Sequence, residues 1–125
     1  MKKKILVLLI VTLAGINCFA QRQSAEARAL QGTWILIGGL HEEGSFNEQD
    51  VKAENLNISY VFSGDTFTVR KNGEVIGPLK FEPVHGTVQV IDPETGTVIG
   101  MIPYNLQGRI LIFYEGGFTY IYRKR

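Results

Sequence analysis

The chain has 125 residues, 45% of them hydrophobic and 20% charged, with 13 basic and 12 acidic side chains and one cysteine. That length suits a single domain with its own core. The near-neutral balance, without basic clusters, argues against a nucleic-acid partner, and a lone cysteine leaves no internal disulfide.

The first 20 residues read as a signal peptide. Lys2, Lys3 and Lys4 form a positive start, and Ile5 to Ile16 is an apolar run too short to span a bilayer comfortably. Cys18-Phe19-Ala20 places small residues at the −3 and −1 positions of a cleavage site, so the mature chain is expected to begin at Gln21 and run to Arg125. Cys18 invites comparison with a lipoprotein signal. Asn17 stands where that signal wants a small residue, which argues against a lipid anchor. The expected address is secreted or periplasmic, with no membrane span. Cleavage removes three lysines, leaves 10 basic against 12 acidic residues and turns the formal charge to −2.

Gln21 to Gln31 reads as a short helical turn, with Ser24 as its cap, Ala25, Ala27 and Ala29 as helix formers, and Gly32 as its end. From Thr33 the period becomes strand-like. Trp34, Leu36, Gly38 and Leu40 alternate with Thr33, Ile35, Ile37 and Gly39, and Gly38-Gly39 marks a bulge or bend. His41 to Asn55 is a long polar loop with a helical turn near Gln49 to Ala53. Its apolar Phe46 and Val51 are expected to fold over a barrel mouth as a lid.

A β-meander follows. Leu56, Ile58, Tyr60 and Phe62 share one face of a strand, and Phe67 and Val69 share one face of the next. Asn72-Gly73 is a strong hairpin turn. Val75, Gly77, Leu79 and Phe81 are read as one face, with Pro78 indicating a bulge or an edge. Thr87 to Ile91, Val98 to Ile102, Ile110 to Tyr114 and Phe118 to Tyr122 complete the strands, with a turn expected after Pro103 at Asn105 to Gly108. Short turns at even spacing predict an all-β fold: an eight-stranded up-and-down antiparallel barrel with a short N-terminal helical turn, closed so that no sheet edge is left open.

Leu30-Gln31-Gly32-Thr33-Trp34 resembles the Gly-x-Trp start of lipocalins and of the lipocalin-like domains of small secreted bacterial proteins. Phe62 to Val69 is similar to the second and third strands of those domains. Ile91-Asp92, Gly100, Tyr104, Leu106, Gly108 and Leu111 follow the order of their C-terminal half. The resemblance covers the mature chain. It implies a calycin-type barrel with a pocket for a small apolar ligand, and an arginine from near the last strand laid across the tryptophan. Arg123 and Arg109 are the two candidates for that arginine, and strand parity does not choose between them.

Trp34 reads first as a plug at the barrel floor. The ligand-lining set expected from alternation is Trp34, Leu36, Leu56, Ile58, Tyr60, Phe62, Phe67, Leu79 and Phe81, with Val69 beside them; the bland alternative is that these residues fill a solid core. His41 and His85 lack metal-ligand spacing, so no metal or other cofactor is expected. Without a Gly-x-Ser-x-Gly elbow or a phosphate loop, the chain reads as a non-enzyme. Two functions follow: an exported binder of a small apolar or amphipathic ligand, or a protein-interaction module with a filled core that presents Ile35, Ile37, Tyr114 and Tyr122 outward.

Overall fold

The computed structural model describes residues 24–125, so the expected signal peptide, Cys18 and the Ala20-Gln21 cleavage site lie outside the described residues. Helix α1 (Ala25–Leu30) opens the fold, with Ser24 accepting a hydrogen bond from the Ala27 backbone as its N-cap. Nine strands follow: β1 (Gly32–His41), β2 (Gly44–Phe46), β3 (Ile58–Ser63), β4 (Thr66–Lys71), β5 (Glu74–Val84), β6 (Thr87–Ile91), β7 (Val98–Gln107), β8 (Ile110–Glu115) and β9 (Phe118–Lys124). Helix α2 (Glu48–Ala53) lies between β2 and β3.

All strand pairings are antiparallel. β1 joins β3, each later strand joins the next, and β9 returns to β1, closing an eight-strand barrel with β2 as an extra strand beside the far end of β1. The expected barrel is therefore present. Asn72 and Gly73 both adopt positive φ, as a tight β4–β5 hairpin requires.

The bends fall where small residues permit them. Between Leu36 and Gly38 the register of β1 against β9 shifts by one. A Cβ on Gly39 would run into the Thr119 carbonyl and the Phe46 ring, and one on Gly38 would sit 2.7 Å from the Phe46 carbonyl. Only glycines allow β2 and β9 to close on β1 from both sides.

Three expectations about strands change. Val75, Gly77, Leu79 and Phe81 do not share a face, because the β4–β5 register slips at Gly77-Pro78; Val75 is exposed and Phe81 is buried. β7 does not stop at Ile102 but continues to Gln107. Pro103 is the last β7 residue paired with β6 and Tyr104 the first paired with β8, so the proline sits where the strand changes partners. The polar loop from His41 to Asn55 holds the extra strand β2 as well as the expected helical turn.

Alternation drives one face of every strand inward. Trp34, Leu36, Tyr60, Phe62, Phe67, Phe81, Val88, Val90, Leu111, Phe113 and Tyr122 are all buried. Aromatic rings dominate. Tyr60 lies 4.9 to 6.2 Å, centroid to centroid, from Phe62, Phe67, Phe113 and Tyr122, and Phe81 stands edge-on to Phe62 at 4.9 Å. Such pairs add about 0.5–1.5 kcal/mol each to the burial of their surface. The middle of the barrel is thus packed with side chains.

Candidate functional site

One end of the barrel is sealed. Trp34 and Leu30 are fully buried there, and the Trp34 indole N–H donates to the Leu30 carbonyl at 2.8 Å, so the last turn of α1 satisfies the one polar group of the plug. The Gln31 side chain holds the same end shut. Its amide group donates to the Gly64 carbonyl at 2.9 Å and its oxygen accepts from the Gly64 N–H at 2.8 Å, fastening the α1–β1 junction to the β3–β4 turn.

Neither arginine lies across the indole. Lys124 does, with Nζ 5.6 Å from the ring centroid. The cause is parity. Tyr122 faces inward, so Lys124 shares its side, and Arg123 points out to an ion pair with Glu48 at 3.0 Å. Arg109 acts on the same spot indirectly, donating to the Lys124 carbonyl at 2.8 Å.

The opposite end is open. There Ile58 and Tyr60 of β3, Val69 and Lys71 of β4, Glu115 of β8, and Tyr120 and Tyr122 of β9 line a cup of about 210 Å³. Each follows its strand's inward alternation: Lys71 pairs with Ile58, Val69 with Tyr60, and Tyr122 with Leu111. The rim beyond Tyr120 is aromatic, because the His41 ring packs within 4.6 to 5.7 Å of Phe46, Phe118 and Tyr120.

The cup floor carries an ordered run of polar groups. Tyr60 Oη donates to Glu115 Oε2 over a long 3.5 Å, and the Tyr122 ring stands edge-on beside Tyr60 at 5.2 Å. Burial first, and then the Glu115 charge nearby, push the Tyr60 hydroxyl well above the ordinary tyrosine range. Burial also pushes Tyr122 up, with the neighbouring Tyr60 adding to it. Both phenols therefore stay protonated and act as donors. Burial raises the Glu115 carboxyl above its ordinary value, and the Tyr60 hydrogen bond pulls it partly back.

Of the residues expected to line a pocket, Ile58 and Tyr60 do so, with Val69 beside them. Trp34, Leu36, Phe62, Phe67 and Phe81 are buried in the core below the cup, Leu79 packs against that core, and Leu56 borders a separate hollow beside β2 that also touches His41 and Phe46. Tyr122, expected on the outer face, is 2% exposed and faces in. Alternation of Tyr120 and Tyr122 with Thr119 and Ile121 carried that signal, but both sides of β9 are apolar enough to hide it. Lys71 abuts the Asn72-Gly73 turn and Glu115 abuts Gly116-Gly117, where a charged side chain is the ordinary occupant. Nothing local marks them as cup residues.

The larger hollows lie outside the wall. One of about 290 Å³ runs over Ile35, Ser59, Arg70 and Val75, which stand opposite one another on four neighbouring strands and face outward. Another, of about 360 Å³, lies beside α1. Helix α2 does not cross the mouth as a lid: Glu48 at its start pairs with the outward Arg123. Among the described residues no helix is long and apolar enough to cross a membrane. No family model, curated protein or solved structure matches this chain.

Proposed function

We propose that the chain is an exported lipocalin-like barrel that binds one small amphipathic molecule, non-covalently, in the cup at its open end. The observation that carries this reading is the composition of the cup. Apolar Ile58 and Val69, three tyrosine rings, one carboxylate and one ammonium converge on a single inward-facing space above an otherwise filled core. Concave sites that combine apolar walls with a few fixed polar groups suit oriented small ligands.

Size limits the occupant. The cup is smaller than the roughly 300–1,000 Å³ typical of drug-sized ligands. A molecule burying about 150 Å² of apolar surface would gain about 4 kcal/mol at 25 cal/mol per Å², before the costs of association. Affinity in the millimolar range or weaker follows for a ligand without strong polar contacts. The lipocalin-like identity draws support from the closed barrel and from the Gly32-Thr33-Trp34 start, whose tryptophan plugs the floor.

The test is a chemical-shift titration of residues 21–125 with a panel of small amphiphiles. Shifts confined to Ile58, Tyr60, Val69, Lys71, Glu115 and Tyr120, and saturable, support the reading. Saturable shifts centred elsewhere refute it.

A second reading has its own observation. Ile99, Met101 and Tyr114 are 57%, 61% and 43% exposed on β7 and β8, more apolar surface than a closed barrel needs to show. A protein partner seated there would leave the cup unused, and substitution of Met101 and Tyr114 by serine would abolish its binding.

A further inference from the structure

The cup is lined by two ionisable side chains of opposite sign, and their surroundings differ. Glu115 is half-buried and Lys71 is exposed at the rim. The ion pairs among the described residues are Lys80 with Asp65 and Arg123 with Glu48, so Lys71 does not close on Glu115. The carboxylate receives one hydrogen bond, from Tyr60, and that bond is long. Among the described residues no other donor meets its remaining lone pairs.

The hydrogen-bond run fixes the polarity of the floor. Tyr60 donates to Glu115, and the Tyr122 ring packs edge-on beside Tyr60. The Tyr60 proton is therefore committed, and the run ends on an acceptor. A ligand meets negative charge at that end, not a free donor. Around it stand the rings of Tyr60, Tyr120 and Tyr122, whose π faces attract cations and offer nothing to an anion.

We propose that the occupant of the cup is a small organic cation, an alkylammonium whose charged nitrogen sits against Glu115 and whose carbon skeleton lies on Ile58, Val69 and the tyrosine rings. The inference rests on the reading of the cup as a ligand site. An ammonium supplies what Glu115 lacks: a countercharge and N–H donors for its open lone pairs. Lys71 opposes this charge weakly, since its long exposed stem can carry its ammonium into solvent.

Three probes on one carbon skeleton make the test: isopentylamine, isopentanol and isovalerate, each titrated near pH 8 by calorimetry and by chemical shift. The amine is expected to bind at least about tenfold tighter than the alcohol, and the carboxylate more weakly still. Glu115→Gln, which keeps the shape and removes the charge, is expected to erase the preference for the amine. Lys71→Ala changes only an exposed rim residue and is expected to tighten amine binding about two- to fivefold. Equal binding of amine and alcohol, untouched by Glu115→Gln, would overturn the cation assignment and leave the cup as a neutral-ligand site. Tightest binding by the carboxylate, lost in Lys71→Ala, would overturn it in favour of an anion. Failure of all three probes to shift any cup residue would overturn the site itself.

Discussion

The indole N–H of Trp34 points back along the chain to the carbonyl of Leu30, 2.8 Å away, at the last residue of α1. One bond thereby satisfies the tryptophan and a helix-end carbonyl that would otherwise lack an intrahelical partner. Trp34→Phe keeps most of the ring's bulk and removes that donor. The expected outcome is a folded barrel less stable by about 1–3 kcal/mol, read from the midpoint of urea unfolding at unchanged slope.

Gly39→Ala tests the pinch between β2 and β9. The new methyl would meet the Thr119 carbonyl and the Phe46 ring. Overpacking of this kind costs about 1–3 kcal/mol. Amide exchange at Leu40 and Ser45, which face each other across the β1–β2 pair, is expected to speed up more than exchange at Val88 in the far wall.

Alkaline pH reports on how α1 is held. Tyr104 of β7 donates to Glu26 of α1 at 3.2 Å, and its hydroxyl is pushed up to about 12, by burial first and then by Glu26. The folded state therefore holds this proton more tightly than the unfolded chain, whose tyrosines titrate near the ordinary 10.0. The stability it contributes is complete below about pH 10 and is lost as pH rises towards 12. Tyr104→Phe is expected to flatten that part of the stability profile, measured between about pH 8 and 12. An unchanged profile would place the loss in other tyrosines.

Glu115 is expected to act in the opposite sense to the usual carboxylate. Burial raises it, so the folded protein prefers the neutral acid more than the unfolded chain does. Its favourable contribution is present below the ordinary value of 4.5 and is lost as pH rises through the raised one. Glu115→Gln is therefore expected to be at least as stable as the parent at neutral pH, with the difference vanishing in acid. A clear loss of stability at pH 7 would mean that the Tyr60 bond outweighs desolvation.

Tyr60 is the natural residue to probe in the cup, but truncation is the wrong change. Its ring touches four others in the core, so Tyr60→Ala is expected to cost about 3–5 kcal/mol and to confound any binding assay. Tyr60→Phe keeps the ring and removes only the hydrogen bond to Glu115. Trp34, at the other end, is expected to show almost no fluorescence change when the cup fills. A large change would place the ligand at the floor.

The strands and the closed barrel were legible because alternation, Asn72-Gly73 and evenly spaced turns all point one way. The cup was legible only in part. Ile58, Tyr60 and Val69 stood out as inward apolar residues on strands with a clear polar side. Tyr122 did not, because its strand is apolar on both sides and a one-residue choice of parity decides everything. Lys71 and Glu115 sit at strand ends next to glycine-rich turns, where a charged residue is the ordinary occupant. That Lys124, rather than Arg123 or Arg109, lies over Trp34 follows from the same parity, which only the position of Tyr122 settles.

Ser24 caps a helix whose end plugs the floor, and the backbone of Arg125 donates to Thr33 in that same region. Both limits of the described chain therefore gather at the end away from the cup. A protein immobilised, fused or tethered through either limit would present the cup to its surroundings like an upturned bowl. The Lys71–Tyr120 rim is the part a passing solute would meet first.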